Sequence, residues 1–187
     1  MRAMNFRSVL FMVFALSLIS QNILADELPD TPEGFTWYEA KNGAGTFLKP
    51  DNWYVKEEIR DGTNALFISR EDINGKGRFS VGFSVNYLPS FSTKNISMKP
   101  SQYAKQFVQK IIDKNEVLKA GVVKGGPSDM NIVRTLSDNS GIKTIVHHIS
   151  IGMDDKDAVY FISFEAPESE WEKLYPIAGT MLNYFLF

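Results

Sequence analysis

The strictest constraint on the fold is an alternating segment in the middle of the chain, residues 79–88 (FSVGFSVNYL). Large apolar residues occupy every second position from Phe79 to Tyr87, and small or polar residues lie between them. A period of two predicts a β-strand with one buried face. Residues 101–114 change to helical spacing directly after Pro100, a residue that the first turn of a helix tolerates. We therefore expect a sheet with a helix packed on it.

Strand-type segments lie on both sides of this helix. Further strands are expected at residues 47–49, 53–59, 65–70, 117–124, 130–137, 142–153 and 158–165. A second helix is predicted from about residue 167, and Pro176 should kink it or delay its regular part. Strands in hairpins, with one helix between them and one at the end, predict an α+β domain. Its mainly antiparallel sheet should be flanked by helices.

The N-terminus has the pattern of a cleavable secretion signal. Arg2 and Arg7 precede a short apolar run that ends near Ala25. The run is shorter than the roughly 20 apolar residues that a membrane-spanning helix needs. The alternative is an uncleaved N-terminal anchor. The expected division is a signal peptide at 1–25, a flexible lead-in at 26–34 and a single domain at 35–187, in a secreted, periplasmic protein without a transmembrane span in its mature chain.

Composition excludes several classes of protein. The chain has no cysteine, which excludes disulfides, thiolate metal sites and cysteine nucleophiles. Its formal net charge is −2, and the signal carries two arginines and no acidic residue, so the remaining domain is more acidic. Such a domain, without a basic stripe, is not expected to bind nucleic acid, because phosphate contacts need clustered Lys and Arg.

Three segments together resemble a known superfamily: residues 47–58 (FLKPDNWYVKEE), 100–104 (PSQYA) and 160–171 (YFISFEAPESEW). Their content and order are similar to the PsbP-like superfamily, an α/β/α sandwich shared by photosystem II extrinsic subunits, Ran-binding proteins and many secreted bacterial proteins. Asn52 departs from the pattern, which would have Gly there. The resemblance implies a non-enzymatic module that docks on a larger assembly, and it places no metal ligand on a matching position.

The only two histidines, His147 and His148, are neighbours in a predicted strand, so their side chains point to opposite faces. Without a bulge they cannot both reach one metal ion. Counting back through a four-residue hairpin loop predicts that His147 lies opposite Phe164 and that His148 lies opposite Ser163. We expect His147 to be a core residue, and His148 to be either a structural residue or a pocket or pH-sensitive residue.

The hairpin loop is acidic, and Asp154, Asp155 and Asp157 are candidate ligands for calcium or another divalent ion. Lys156 opposes cation binding, and a solvated hairpin tip is the alternative. The chain contains no Gly-x-Ser-x-Gly elbow, and its glycine pairs precede no phosphate-binding helix, so we do not expect an enzyme. A hydrolase stays open as the least supported class, and no other cofactor is indicated.

Trp37 and Tyr38 follow the lead-in and are candidate partner-binding residues, since exposed Trp and Tyr often carry binding energy. Packing of the first strand onto the sheet is the alternative. The leading hypothesis is a secreted non-catalytic module that docks on an envelope protein or complex. Its rival is a small-ligand or divalent-ion binding protein that uses a pocket between sheet and helix or the acidic 154–157 hairpin. The oligomeric state is left open.

Overall fold

The computed structural model describes residues 28–75, 77–124, 128–139 and 141–186. The predicted signal peptide, residues 1–25, lies outside the described residues, as do the first two residues of the predicted lead-in. Within the described ranges, no helix is long and apolar enough to cross a membrane.

Nine strands form two antiparallel sheets. They are β1 (Phe35–Glu39), β2 (Thr46–Pro50), β3 (Tyr54–Arg60), β4 (Thr63–Ser69), β5 (Gly82–Leu88), β6 (Glu116–Val123), β7 (Met130–Asn139), β8 (Ile142–Met153) and β9 (Ala158–Pro167). The large sheet has the order β3-β4-β5-β9-β8-β7-β6, and β1 pairs with β2 in a small second sheet. Strands β3 and β6 are therefore the two edges of the large sheet.

Two α-helices accompany the sheets, α1 (Pro100–Ile112) and α2 (Trp171–Asn183). The predicted start of the second helix at about residue 167 is wrong. Strand β9 continues to Pro167, which pairs with Thr144, and a 3₁₀ turn at Glu168–Glu170 precedes the helix. Helix α2 runs through Pro176, so the proline does not delay its regular part.

Helix α1 covers one face of the large sheet, over β7, β8 and β9. The Ser150 hydroxyl donates a hydrogen bond of 2.7 Å to the Ala104 carbonyl oxygen. At Gly152 a Cβ atom would lie 2.2 Å from the carbonyl oxygen of Pro100. The start of α1 thus rests directly on the backbone of β8, and only glycine leaves room for it.

Helix α2 and the small sheet cover the opposite face. The buried residues of α2 are Trp171, Leu174, Ala178 and Met181, which recur at helical spacing. Phe47 of β2 stacks on Phe185 at 4.5 Å between ring centroids. The predicted fold class is confirmed: a mainly antiparallel sheet lies between helical layers. The separate β1–β2 sheet was not predicted.

Candidate functional site

The two edges of the large sheet differ in how they are protected. On β3, Glu58 forms ion pairs with Lys56 and Arg60. A neighbouring loop also lies against this strand, where the backbone N–H groups of Lys41 and Asn42 donate to the Glu57 carboxylate. Charged side chains and covering loops are the usual means by which an edge strand avoids pairing with another chain. The β3 edge is therefore closed.

The β6 edge is less protected: Lys119 lies on it, but in the described part of the chain this charge forms no ion pair. Every residue of β6 is exposed, and its four largest apolar side chains keep high accessible fractions: Val117 38%, Leu118 46%, Val122 50% and Val123 41%. In the described part of the chain, β6 pairs only with β7. A bulge at Leu118 shifts the register, so the regular part runs from Lys119 to Val123. Exposed aliphatic side chains on an edge strand give a surface that is suited to pairing with an added strand.

A row of basic residues crosses the sheet beside this edge, on the face that carries α2. Lys119 pairs with Arg134, and Arg134 pairs with His147. The Arg134 guanidinium lies over two rings of α2, 4.3 Å from the centroid of Tyr175 and 4.9 Å from that of Trp171. These distances are typical of cation–π contacts.

Two buried nitrogens in this row have no hydrogen-bond partner among the described residues: Nε of Arg134 and Nδ1 of His147. Burial, with smaller contributions from Arg134, His148 and Lys119, lowers the pKa of His147 from 6.5 to about 4. His147 is therefore neutral at physiological pH, and Arg134 is the charged centre of the row. Sequence reasoning missed Lys119 and Arg134. The feature of the sequence that could have identified Arg134 is its position as a single arginine on the otherwise apolar face of the segment 130–137.

The predicted partner-binding residues lie elsewhere, on β1. The Trp37 indole N–H donates to the Pro29 carbonyl oxygen at 2.8 Å, and its ring meets Tyr184 edge-on at 6.1 Å. The Tyr38 hydroxyl donates to the Glu57 carboxylate, and its pKa is raised to about 12 by burial and by Glu57. Both side chains are partly buried and engaged within the chain. Their role in partner binding stays a prediction.

The acidic hairpin carboxylates contact neighbouring segments. Asp154 accepts hydrogen bonds of 2.9 Å from both the backbone N–H and the hydroxyl of Ser101, in the first turn of α1. Asp157 accepts from the backbone N–H and hydroxyl of Ser92, at 2.9 and 2.7 Å. Asp155 is exposed. In the ranges that the structure covers, no three His, Cys, Asp or Glu side chains are grouped so that they could hold a metal ion. Calcium binding stays a prediction.

His148 lies on the α1 face, and the predicted registers are confirmed: His148 is opposite Ser163, and His147 is opposite Phe164. The Ser163 hydroxyl is 2.7 Å from that of Ser84. No hydrogen bond joins His148 to a serine or an acid among the described residues, so the geometry of an activated nucleophile is not formed there. Burial lowers the pKa of His148 to about 4.

Glu165 is an acidic residue on the same face that sequence reasoning did not single out. Burial raises its pKa from 4.5 to about 7, and the negative charge of Glu71 adds to this effect. Burial alone would also raise the pKa of Glu71, but hydrogen bonds from the Ser80 hydroxyl and the Val81 backbone N–H lower it. Glu71 is thus the ionised member of the pair. The feature that could have identified Glu165 is a single acid in a predicted strand between Phe164 and Ala166, with its side chain on the opposite face from theirs.

The space between the sheet and α2 offers no polar group to a small ligand. The gap there is lined by apolar side chains of both layers: Phe47, Ile68, Phe83, Val85, Ile162, Met181, Leu182 and Phe185. Ligand pockets usually combine apolar walls with a few polar groups that fix orientation. This gap is a region of core packing, and the exposed β6 edge with its basic row is the stronger candidate site.

No family model and no curated protein matches the sequence. Solved structures of other proteins share its architecture. The solution structure of cyanobacterial PsbP (CyanoP) from Synechocystis has a TM-score of 0.51 and 12% identity, and the match covers 88% of this chain and 99% of that one. The crystal structure of the Saccharomyces cerevisiae Ran-binding protein Mog1p has a TM-score of 0.51 and 16% identity, covering 81% and 94%. The protein therefore has the PsbP-like fold, and identities this low establish the fold alone.

Proposed function

We propose that this protein is a non-catalytic interaction module that binds an extended segment of an envelope protein. The segment pairs with β6 and adds an eighth strand to the large sheet. The observation that carries this proposal is the exposed β6 edge, with four half-exposed aliphatic side chains on a strand that, among the described residues, pairs on one side only.

Backbone hydrogen bonds and the burial of side chains would both contribute to the affinity of such a contact. An added strand satisfies the outward N–H and C=O groups of β6 with backbone hydrogen bonds, which gives affinity with little sequence selectivity. Val122 shares the α1 face with Asn131 and Ser150, whereas Val123 lies on the α2 face, so a partner strand would bury side chains on both faces. Completing the burial of each valine or leucine would contribute about 1 kcal/mol.

Two further observations support a protein partner in the envelope. The predicted secretion signal at residues 1–25 favours a location outside the cytoplasm. One protein of the same fold, Mog1p, is named for binding another protein, Ran. Fold alone does not assign a function, so the likeness supports the class of activity and leaves the partner to the site itself.

A photo-crosslinking experiment in intact cells tests the proposal. A photoreactive amino acid at Val122 should give a discrete adduct with one envelope protein, because the added strand would lie about 5 Å away. Leu118→Lys in the same chain should abolish the adduct by placing a charge on the docking edge. Ile59→Lys, the same kind of change on an exposed residue of the β3 edge, should leave it intact.

The controls decide the interpretation. Both lysine variants should unfold at the same urea concentration as the wild-type protein, which excludes a folding defect as the cause of a lost adduct. An adduct that persists in the Leu118→Lys variant, or that forms equally well from a photoreactive residue at position 59, would show that β6 is not the docking edge.

A further inference from the structure

Arg134 is a partly buried cation without a counter-ion in the described part of the chain. No ion pair or hydrogen bond reaches it there, and its contacts are the faces of Trp171 and Tyr175. Its cross-strand neighbours on the same face are Lys119, a second cation, and the neutral, buried His147. The row therefore concentrates positive charge in a partly dehydrated position, with nothing in it to balance that charge.

This arrangement of charges is energetically unfavourable when no anion is bound beside Arg134. Removing a guanidinium from water costs free energy unless an anion or hydrogen-bond acceptors replace the water, and ring faces compensate only part of that cost. The orphaned Nε adds to the imbalance, because a buried donor without an acceptor is destabilising. An anion bound beside Arg134 would balance the charge of the guanidinium.

The shape of the site indicates the kind of anion. A guanidinium held flat by aromatic rings offers its N–H groups as a planar fork, which matches the two oxygens of a carboxylate. Leu136 and Ile132 flank Arg134 on the same face of β7 and are partly buried, so the ligand would meet apolar surface next to the charge. A dianion such as phosphate is less suited, because it would lose more hydration in this partly apolar position.

We propose that Arg134, with Lys119 beside it, binds the carboxylate group of a small organic acid whose apolar part rests against α2 and β7. The aromatic pair Trp171 and Tyr175 positions the guanidinium, and Lys119 supplies a second charge from the exposed strand. This ligand is distinct from the extended segment proposed for β6, and its binding can be measured without any protein partner.

Titration of the purified, secreted protein with sodium benzoate tests this site. The Nε–H resonance of Arg134 and the indole fluorescence of Trp171 should change together and saturate, whereas sodium chloride at equal ionic strength should leave them unchanged. Arg134→Lys keeps the charge but removes the fork and should weaken binding about tenfold or more. Arg60→Lys, a matched change at an exposed arginine on β3, should have no effect.

Lys119→Ala provides a second variant in case Arg134→Lys does not fold, and it should weaken binding about threefold. The proposal is overturned if neither signal of the wild-type protein changes at about 50 mM benzoate, a concentration that saturates a site with a dissociation constant near 1 mM. It is also overturned if inorganic phosphate saturates the site while benzoate does not, or if Arg134→Lys binds benzoate as well as the wild type.

Discussion

At the scale of single residues, two ionisable groups with large pKa shifts, His147 and Glu165, lie on opposite faces of the sheet and act in opposite directions with pH. His147 has a lowered pKa, because burial and neighbouring cations disfavour its protonated form. Glu165 has a raised pKa, because burial and the Glu71 carboxylate disfavour its ionised form. His147 is therefore neutral above about pH 4 and Glu165 is neutral below about pH 7, so each resists the charge that it would carry in an unfolded chain.

Glu165 should make the protein less stable as the pH rises. Its folded pKa of about 7 exceeds its ordinary value of 4.5, so its contribution to stability is complete below 4.5 and is lost as the pH rises through 7. Glu165→Gln removes the carboxyl group whose ionisation causes this loss of stability. We expect the variant to be more stable than the wild type by about 2 kcal/mol at about pH 8, and equal to it at about pH 4. Urea unfolding at the two pH values measures the difference.

The histidines titrate in both proteins and cancel from this comparison. Glu172→Gln, an exposed position on α2, is the matched control and should show no such pH dependence. A Glu165→Gln variant that is equally or less stable at the higher pH would contradict the view that the carboxylate is buried against a second negative charge.

The sequence was sufficient to predict the strand partners of the two histidines, but not the β6 edge or the basic row beside it. The length of the 154–157 hairpin fixes the register of β8 on β9, so the partners of His147 and His148 followed from pairing rules. Arg134 and Glu165 were missed because each is a single charged residue within a predicted strand, and alternation shows only on which face of the sheet its side chain lies. Whether an aromatic ring or a second carboxylate meets it depends on packing between distant segments.

At the scale of elements, the acidic hairpin and the start of α1 form one unit. Both oxygens of Asp154 accept hydrogen bonds from Ser101, which gives the first turn of α1 the kind of acceptor that a helix N-cap supplies. A negative charge at this position also complements the helix dipole. The 154–157 hairpin thus ties β8 to α1, close to the point where Pro100 rests on Gly152.

Asp154→Ala should therefore lower the free energy of unfolding by about 1 kcal/mol, as loss of a helix cap usually does. Asp155→Ala removes an exposed carboxylate from the same loop and should have little effect. Thermal or urea unfolding of the two variants, with and without millimolar calcium, measures this. Equal destabilisation by both changes, together with a higher melting temperature of the wild type in calcium, would instead support the metal-binding hypothesis for this loop.

The elements themselves were largely predictable, and the exceptions have physical causes. The long strands β7, β8 and β9 were predicted to within two residues at each end, because strand-type segments there are bounded by turn-forming residues. The pairing of β1 with β2 was not predicted, since short segments with mixed burial carry little periodic signal. The late start of α2 was missed because Pro167 still pairs with β8, a tertiary contact that local sequence does not encode.

At the scale of the whole molecule, the large sheet is asymmetric. One edge is closed by charged pairs and a covering loop, and the other presents exposed aliphatic residues. An edge of this kind that stayed free would risk uncontrolled pairing with other chains. A dedicated partner strand resolves this risk, and it is the central claim of our account.

Amide hydrogen exchange tests that claim most directly, because strand addition engages the backbone itself. The protein is labelled in intact cells and, separately, after purification, and exchange is read by mass spectrometry. We expect the amides of β6 from Ala120 to Val123 to exchange markedly more slowly in cells than in the purified protein, while those of β3 do not change. Equal exchange of β6 in both samples, or slowing confined to β1 around Trp37 and Tyr38, would contradict docking at the β6 edge.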